Sequence, residues 1–234
     1  MWDSRLAETV PQVRDRIGRA LERGGRSGQS VRVVAVSKGH PLEAVRAALA
    51  AGLTTLGENR IDELAEKVRV VGRSAAEWHM VGHLQRNKAR AGIRLFHRID
   101  SVDSLRLARA LAQEATRAGL MVRGLLQVNV SGEATKGGFE PEQAVDAVGA
   151  IAALDGLELH GLMTMAPLTD DEVVLRRTFA RTRELLDECH RQLPSALHGR
   201  VLSMGMSNDY EIAIEEGSTD VRLGTVLFGE RDDP

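Results

Sequence analysis

One lysine in this sequence sits where an amine can act as a nucleophile. Lys38 directly follows the apolar run Val33–Val36. A lysine beside a dry wall loses part of the hydration that stabilises its charge, which frees the neutral amine to attack a carbonyl. Such lysines form Schiff bases with carbonyl substrates or with pyridoxal phosphate. The plainer reading is a strand-end lysine whose head group reaches out to water, and position alone does not separate the two. Ser207, Gly224 and Thr225 are a second feature. Glycines let backbone N–H groups approach a phosphate and a hydroxyl adds a donor, although two ordinary tight turns read the same way. Arg222 stands two residues before Gly224. A guanidinium keeps its proton at working pH, so it would donate to a ring nitrogen and leave that nitrogen unprotonated; otherwise it is a surface ion-pair partner.

Other candidates carry less. His79 and His83 are four apart, but they fall on a strand and its end, so helical metal-ligand spacing does not apply and no metal site is expected. Arg86, Lys88 and Arg90 form a basic tract without aromatics, which reads as a solvated helix face and not a nucleic-acid surface. Cys189 continues the stripe Leu175, Phe179, Thr182, Leu186 and reads as a small core residue. Glu58 either orients other groups or, with Asn59, caps the next helix.

These residues need a frame that brings them together. Short runs rich in Val, Ile and Leu predict strands near Arg32–Ser37, Thr55–Glu58, Glu77–Val81, Leu95–Asp100, Leu125–Val130, Leu157–Thr164, Val201–Met204 and Asp220–Gly224. Helical patterns lie between them, for example Leu105–Ala118, Pro141–Ala153 and Asp170–Arg191. Strands alternating with helices imply βαβ units and a parallel sheet. No G-x-G-x-x-G follows the first strand, which argues against an open doubly wound sheet. The expected fold is a single (β/α)8 barrel over residues 1–234, whose length fits. In such a barrel the strand ends carrying Lys38, Asn59, His83, Asp100, Asn129, Ser207 and Arg222 share the C-terminal mouth. An extra N-terminal helix is expected, with Pro11 in its first turn and Gly24-Gly25 ending it. Only ten residues follow Gly224, too few for an eighth outer helix, so the N-terminal helix is expected to fill that gap.

The charge balance, 31 basic against 33 acidic residues, excludes the overall basic excess of a nucleic-acid or acidic-membrane binder. One cysteine forms no intramolecular disulfide and suits a reducing compartment. No apolar run approaches the roughly 20 residues of a membrane span, and the polar N-terminus opens no signal region. A soluble cytoplasmic protein is expected.

Taken in order, the motifs resemble a known family. They are Ala35-Val36-Ser37-Lys38, Gly57-Glu58-Asn59, Trp78-His79 with Gly82-His83-Leu84-Gln85-Arg86-Asn87-Lys88, and Gln127-Val128-Asn129-Val130-Ser131. Then come Lys136-Gly137-Gly138, Gly161-Leu162-Met163-Thr164-Met165, Ser203-Met204-Gly205-Met206-Ser207, Gly217-Ser218-Thr219, and Val221-Arg222-Leu223-Gly224-Thr225 with Phe228-Gly229. The chain resembles the pyridoxal phosphate homeostasis proteins, the alanine-racemase-like PLP-binding barrels, over nearly its whole length. The resemblance implies that Lys38 holds pyridoxal 5'-phosphate as a Schiff base. It implies phosphate contacts from Ser207 and the Gly224–Thr225 backbone, Arg222 near the pyridine nitrogen, Asn59 beside the cofactor and Met204 lining its pocket. One departure is Gly39-His40, where many members carry a threonine and a lysine, so no role for His40 carries over. The expected function is an intracellular carrier or reservoir of the cofactor, a monomer or weak dimer, with apo-PLP enzymes as recipients. The alternatives are an amino-acid racemase and, more distantly, a lysine Schiff-base aldolase. The racemases add a C-terminal β-domain that brings a catalytic base, and this chain stops at Pro234 with a single tyrosine, Tyr210.

Overall fold

The computed structural model describes residues 1–133 and 136–230; the end of the expected 1–234 range lies outside them. The chain begins with α1 (Trp2–Arg23), whose buried stripe is Leu6, Val10, Val13, Ile17, Ala20 and Leu21. The helix starts nine residues before Pro11, not at it. Pro11 is tolerated mid-helix because it lies on the exposed face, where the carbonyl that loses its N–H partner can meet water.

The remaining elements alternate. They run β1 (Arg32–Val36), α2 (Leu42–Ala50), β2 (Thr55–Glu58), α3 (Ile61–Val71), β3 (Glu77–Met80), α4 (Ala89–Leu95), β4 (Arg98–Val102) and α5 (Leu105–Ala118). Then follow β5 (Val122–Gln127), α6 (Ala144–Ala152), β6 (Leu157–Met163), α7 (Glu172–Gln192), β7 (Leu197–Met206), α8 (Tyr210–Glu215), β8 (Asp220–Leu223) and α9 (Thr225–Phe228). All neighbouring strands pair in parallel and β8 closes on β1, giving the expected eight-stranded barrel. Strands covered on both faces read as near-continuous apolar runs, which is why they were legible.

Local chemistry sets the boundaries. Ser104 caps α5 by accepting the Leu107 N–H, and Gly119 ends it in the left-handed conformation. Asp171 accepts the N–H groups of Val173 and Val174, so α7 begins at Glu172. A one-turn helix, α9, does follow β8, contrary to expectation. It is too short to cover the barrel, and α1 packs on α2, α8 and α9 to complete the outer ring. Trp2, His40 and Phe228 meet edge-on or tilted, with centroids 5.1–6.3 Å apart, and tie α1 to the loops after β1 and β8. That contact gives His40 its place: a buried packing residue behind the mouth. Among the described residues no helix is long and apolar enough to cross a membrane.

Two strands are displaced from their predicted positions. Leu95 ends α4, because Ala89, Gly92 and Ile93 form a buried helical face, and β4 starts only at Arg98. Its C-terminal end moves from Asp100 to Val102. Asp100 therefore lies inside the barrel, and Asp103 takes its place at the mouth. β5 likewise ends at Gln127, before Asn129. Cys189 is buried on α7, where burial pushes its thiol up to about 11, so it is a poor nucleophile.

Candidate functional site

A cavity of about 810 Å³ opens at the C-terminal ends of the strands, within the range of small-molecule sites. Six sequence-predicted residues line it: Lys38 after β1, Asn59 after β2, Ser207 after β7, Arg222 on β8, and Gly224 and Thr225 at the start of α9. Met204 does not. Ser203 turns its hydroxyl into the barrel toward Asp100 and Arg222, so alternation sends Met204 outward into the sheet–helix core. Met165 and Met206 stand in the cavity wall instead. Gly82 makes room for Asn59, since a Cβ there would come within 2.8 Å of the Asn59 side chain.

Arg222 is held with unusual completeness. Nη1 donates to the Ser203 carbonyl at 2.7 Å and its hydroxyl at 2.9 Å, and Nη2 donates to the Thr164 carbonyl at 2.7 Å. Burial pulls this guanidinium below its ordinary range, and Asp100, Asp209 and Asp220 offset part of that. Beneath it lies a charged barrel floor. Arg98 donates to both oxygens of Asp100 at 2.6 and 2.8 Å and to Asp220 at 2.7 Å. Burial alone would raise the Asp100 carboxyl, but Arg98, His79 and Arg222 hold it below the usual range. Ser203 donates to Asp100 at 3.4 Å, which links the floor to Arg222.

The hydroxyl of Ser207 accepts the Val226 N–H at 3.3 Å, which turns its own proton away from that contact. Ser207, Gly224 and Thr225 line the cavity together, and the Ser207 hydroxyl keeps a proton to donate. The opposite rim carries His83, largely exposed, whose Nδ1 is 2.7 Å from Asp103. His79 lies fully buried inside the barrel, 3.3 Å from Glu77 and 3.7 Å from Asp100. The two histidines thus face different surroundings. Among the described residues no three His, Cys, Asp or Glu side chains are grouped to hold a metal. Tyr210 is buried at the head of α8 and is absent from the cavity lining.

Behind Lys38 is a network that sequence reasoning missed. Lys67, on α3, is 6% exposed. Its ammonium donates to Glu58 Oε1 at 2.6 Å, Glu63 Oε1 at 2.8 Å and the Ser37 carbonyl at 2.8 Å. Glu58 also accepts the Ser37 hydroxyl at 2.6 Å, and Glu63 accepts the Gly39 N–H at 2.6 Å. Burial pushes the Glu58 carboxyl up, against the pull of Lys67 and Ser37. Glu58 therefore orients other groups; it does not cap α3, which has no side-chain cap.

The family described as "Alanine racemase, N-terminal domain" matches residues 14–232. The pyridoxal phosphate homeostasis protein of Pseudomonas aeruginosa is 41% identical over 98% of this chain and 97% of its own. The chain belongs to the pyridoxal phosphate homeostasis protein family. PipY of Synechococcus elongatus, solved with PLP bound, is similar to this chain at a TM-score of 0.83 and 35% identity, covering 96% of this chain and all of that one. An alanine racemase of Clostridium difficile shares the fold alone, at a TM-score of 0.71 and 17% identity, with 94% of this chain matching 57% of that one. The family's barrel is thus the racemase barrel, and the cavity at its mouth sits where βα-barrel sites lie.

Proposed function

We propose that this protein binds pyridoxal 5'-phosphate through a Schiff base at Lys38 and serves as an intracellular carrier or reservoir of the cofactor. The observation that carries the reading is the meeting of three unlike groups in one cavity. An amine, Lys38, shares it with a guanidinium held in place by three hydrogen bonds, Arg222, and with Ser207, Gly224 and Thr225. Amine, ring-nitrogen donor and phosphate donors are the set this cofactor requires. When bound, it supplies an aldehyde that condenses with an amine, with loss of water. Three of the five N–H donors of Arg222 are committed to Ser203 and Thr164, so Nε and the second N–H of Nη2 are the donors left for a ring nitrogen. Asn59 lines the same cavity as Lys38. That PipY, a relative of the same fold, was solved with PLP bound supports the choice of cofactor. A single buried thiol suits the cytoplasm.

The racemase reading is weaker for two reasons. Racemisation removes a proton from one face and returns it on the other, so it needs two positioned acid–base groups. The one tyrosine is withdrawn from the cavity, and His83 stands exposed at the rim beside Asp103. Arg222, as a permanent donor, also keeps the ring nitrogen unprotonated, which weakens the ring as an electron sink. Loaded protein mixed with an apo-PLP enzyme should restore the recipient's activity. Incubated with L- or D-alanine in deuterated water, it should show no α-proton exchange at the roughly 1–1000 per second of an ordinary enzyme. An inactive recipient contradicts the carrier role, and exchange at that rate contradicts the non-enzyme reading.

Phosphate contacts from Ser207, Gly224 and Thr225 are expected to supply much of the affinity. Ser207→Ala removes one donor to a charged acceptor, at a cost on the order of 1.5–3 kcal/mol. Pyridoxal should bind far more weakly than its phosphate ester, by calorimetry or absorbance. Equal affinity for the two aldehydes would show that the loops after β7 and β8 hold no phosphate.

A further inference from the structure

We propose that Lys67 is a positioning residue for Lys38, holding the backbone on both sides of it so that the Lys38 amine meets the aldehyde in a reactive direction. This rests on the Schiff-base reading above. The Ser37–Lys38 and Lys38–Gly39 peptide planes set φ and ψ at Lys38, and so the direction of its Cα–Cβ bond. Both planes are pinned, and both pins end at Lys67. On the first, the Ser37 carbonyl accepts directly from Lys67 at 2.8 Å. On the second, the Gly39 N–H donates to Glu63 at 2.6 Å, and Glu63 accepts from Lys67 at 2.8 Å. A third tie runs from the Ser37 hydroxyl through Glu58 to Lys67. Gly39 has φ of +70°, a conformation that side chains rarely adopt, so the loop needs both a glycine and a clamp.

The cluster also separates the roles of two amines. Lys67 has one acceptor for each of its three N–H bonds, so its nitrogen offers no lone pair to an aldehyde. A lysine buried to 6% exposure is rare unless paired, and surface solubility does not explain it. Lys67 is also absent from the cavity lining, so its effect on the ligand must pass through Lys38.

The test uses two ligands on the intact protein. Pyridoxal 5'-phosphate reports both phosphate anchoring and imine formation. Pyridoxine 5'-phosphate, an alcohol, reports anchoring alone. Lys67→Met should slow imine formation, followed by absorbance and by borohydride-trapped mass at Lys38, by roughly tenfold or more, as expected for a misplaced reacting group. Affinity for the alcohol by calorimetry should stay within about twofold. Lys67→Arg, which keeps a donor fork for the two carboxylates, should recover part of the rate. If Lys67→Met leaves too little folded protein, Glu63→Gln serves instead, since it loosens the Gly39 side alone, with the same split expected. Wild-type imine rates in these variants, or equal losses for both ligands, overturn the positioning role. Failure of the wild-type protein to form the imine at all overturns the Schiff-base reading instead.

Discussion

Asp100→Ala should destabilise the fold by about 3–5 kcal/mol, the usual cost of breaking a buried charge pair from one side. The carboxylate is fully buried and takes both hydrogen bonds of one Arg98 edge. Its removal leaves Arg98 with Asp220 alone and takes away the acceptor of the Ser203 hydroxyl. For a chain of this size the melting temperature should fall by roughly 6–20 °C. Asp100→Asn keeps the shape and loses the charge, so most of the loss should persist. The pH dependence follows from the direction of the Asp100 shift. Its folded carboxyl is held below the ordinary value, so its contribution is complete above about pH 4 and is lost as pH falls through the folded value. Acid unfolding of the Asp100→Ala variant should therefore be shallower than that of the wild type below about pH 4. A melting temperature within 2 °C of wild type, read by calorimetry, would show that the barrel floor is not held by this cluster. The same variant should weaken cofactor binding, because Ser203 also fixes Arg222.

The barrel and much of its mouth were legible because their signals are local. Lys38 ends a Val-rich run, and Arg222, Gly224 and Thr225 end another. Asp103 was missed because Leu95-Phe96 extends an apolar run that a helix claims, which moved the end of the fourth strand. Lys67 was missed for a deeper reason. On α3 it adjoins the apolar positions Ile61, Leu64 and Val68, and a lysine there is expected to reach for solvent. Its partners Ser37 and Glu58 lie just after β1 and at the end of β2, so only the fold brings them together. The Glu63–Lys67 spacing of four was the one local hint. Met204 failed because period-2 alternation turns it away from a cavity that its neighbour Ser203 faces.

Lys38→Ala should abolish covalent capture of the cofactor altogether. The variant keeps Ser207, Gly224, Thr225 and Arg222 in the cavity wall, so it should still bind the phosphate ester reversibly, without the yellow colour of an imine. Residual affinity and lost colour together separate the amine's contribution from that of the phosphate contacts. The most direct test of the Schiff-base assignment is to incubate the wild-type protein with pyridoxal 5'-phosphate, reduce with borohydride, digest, and locate the added mass. The account predicts one phosphopyridoxyl group on the peptide that carries Lys38 and none on that peptide in Lys38→Ala. An unmodified Lys38 peptide from the wild-type protein would contradict it.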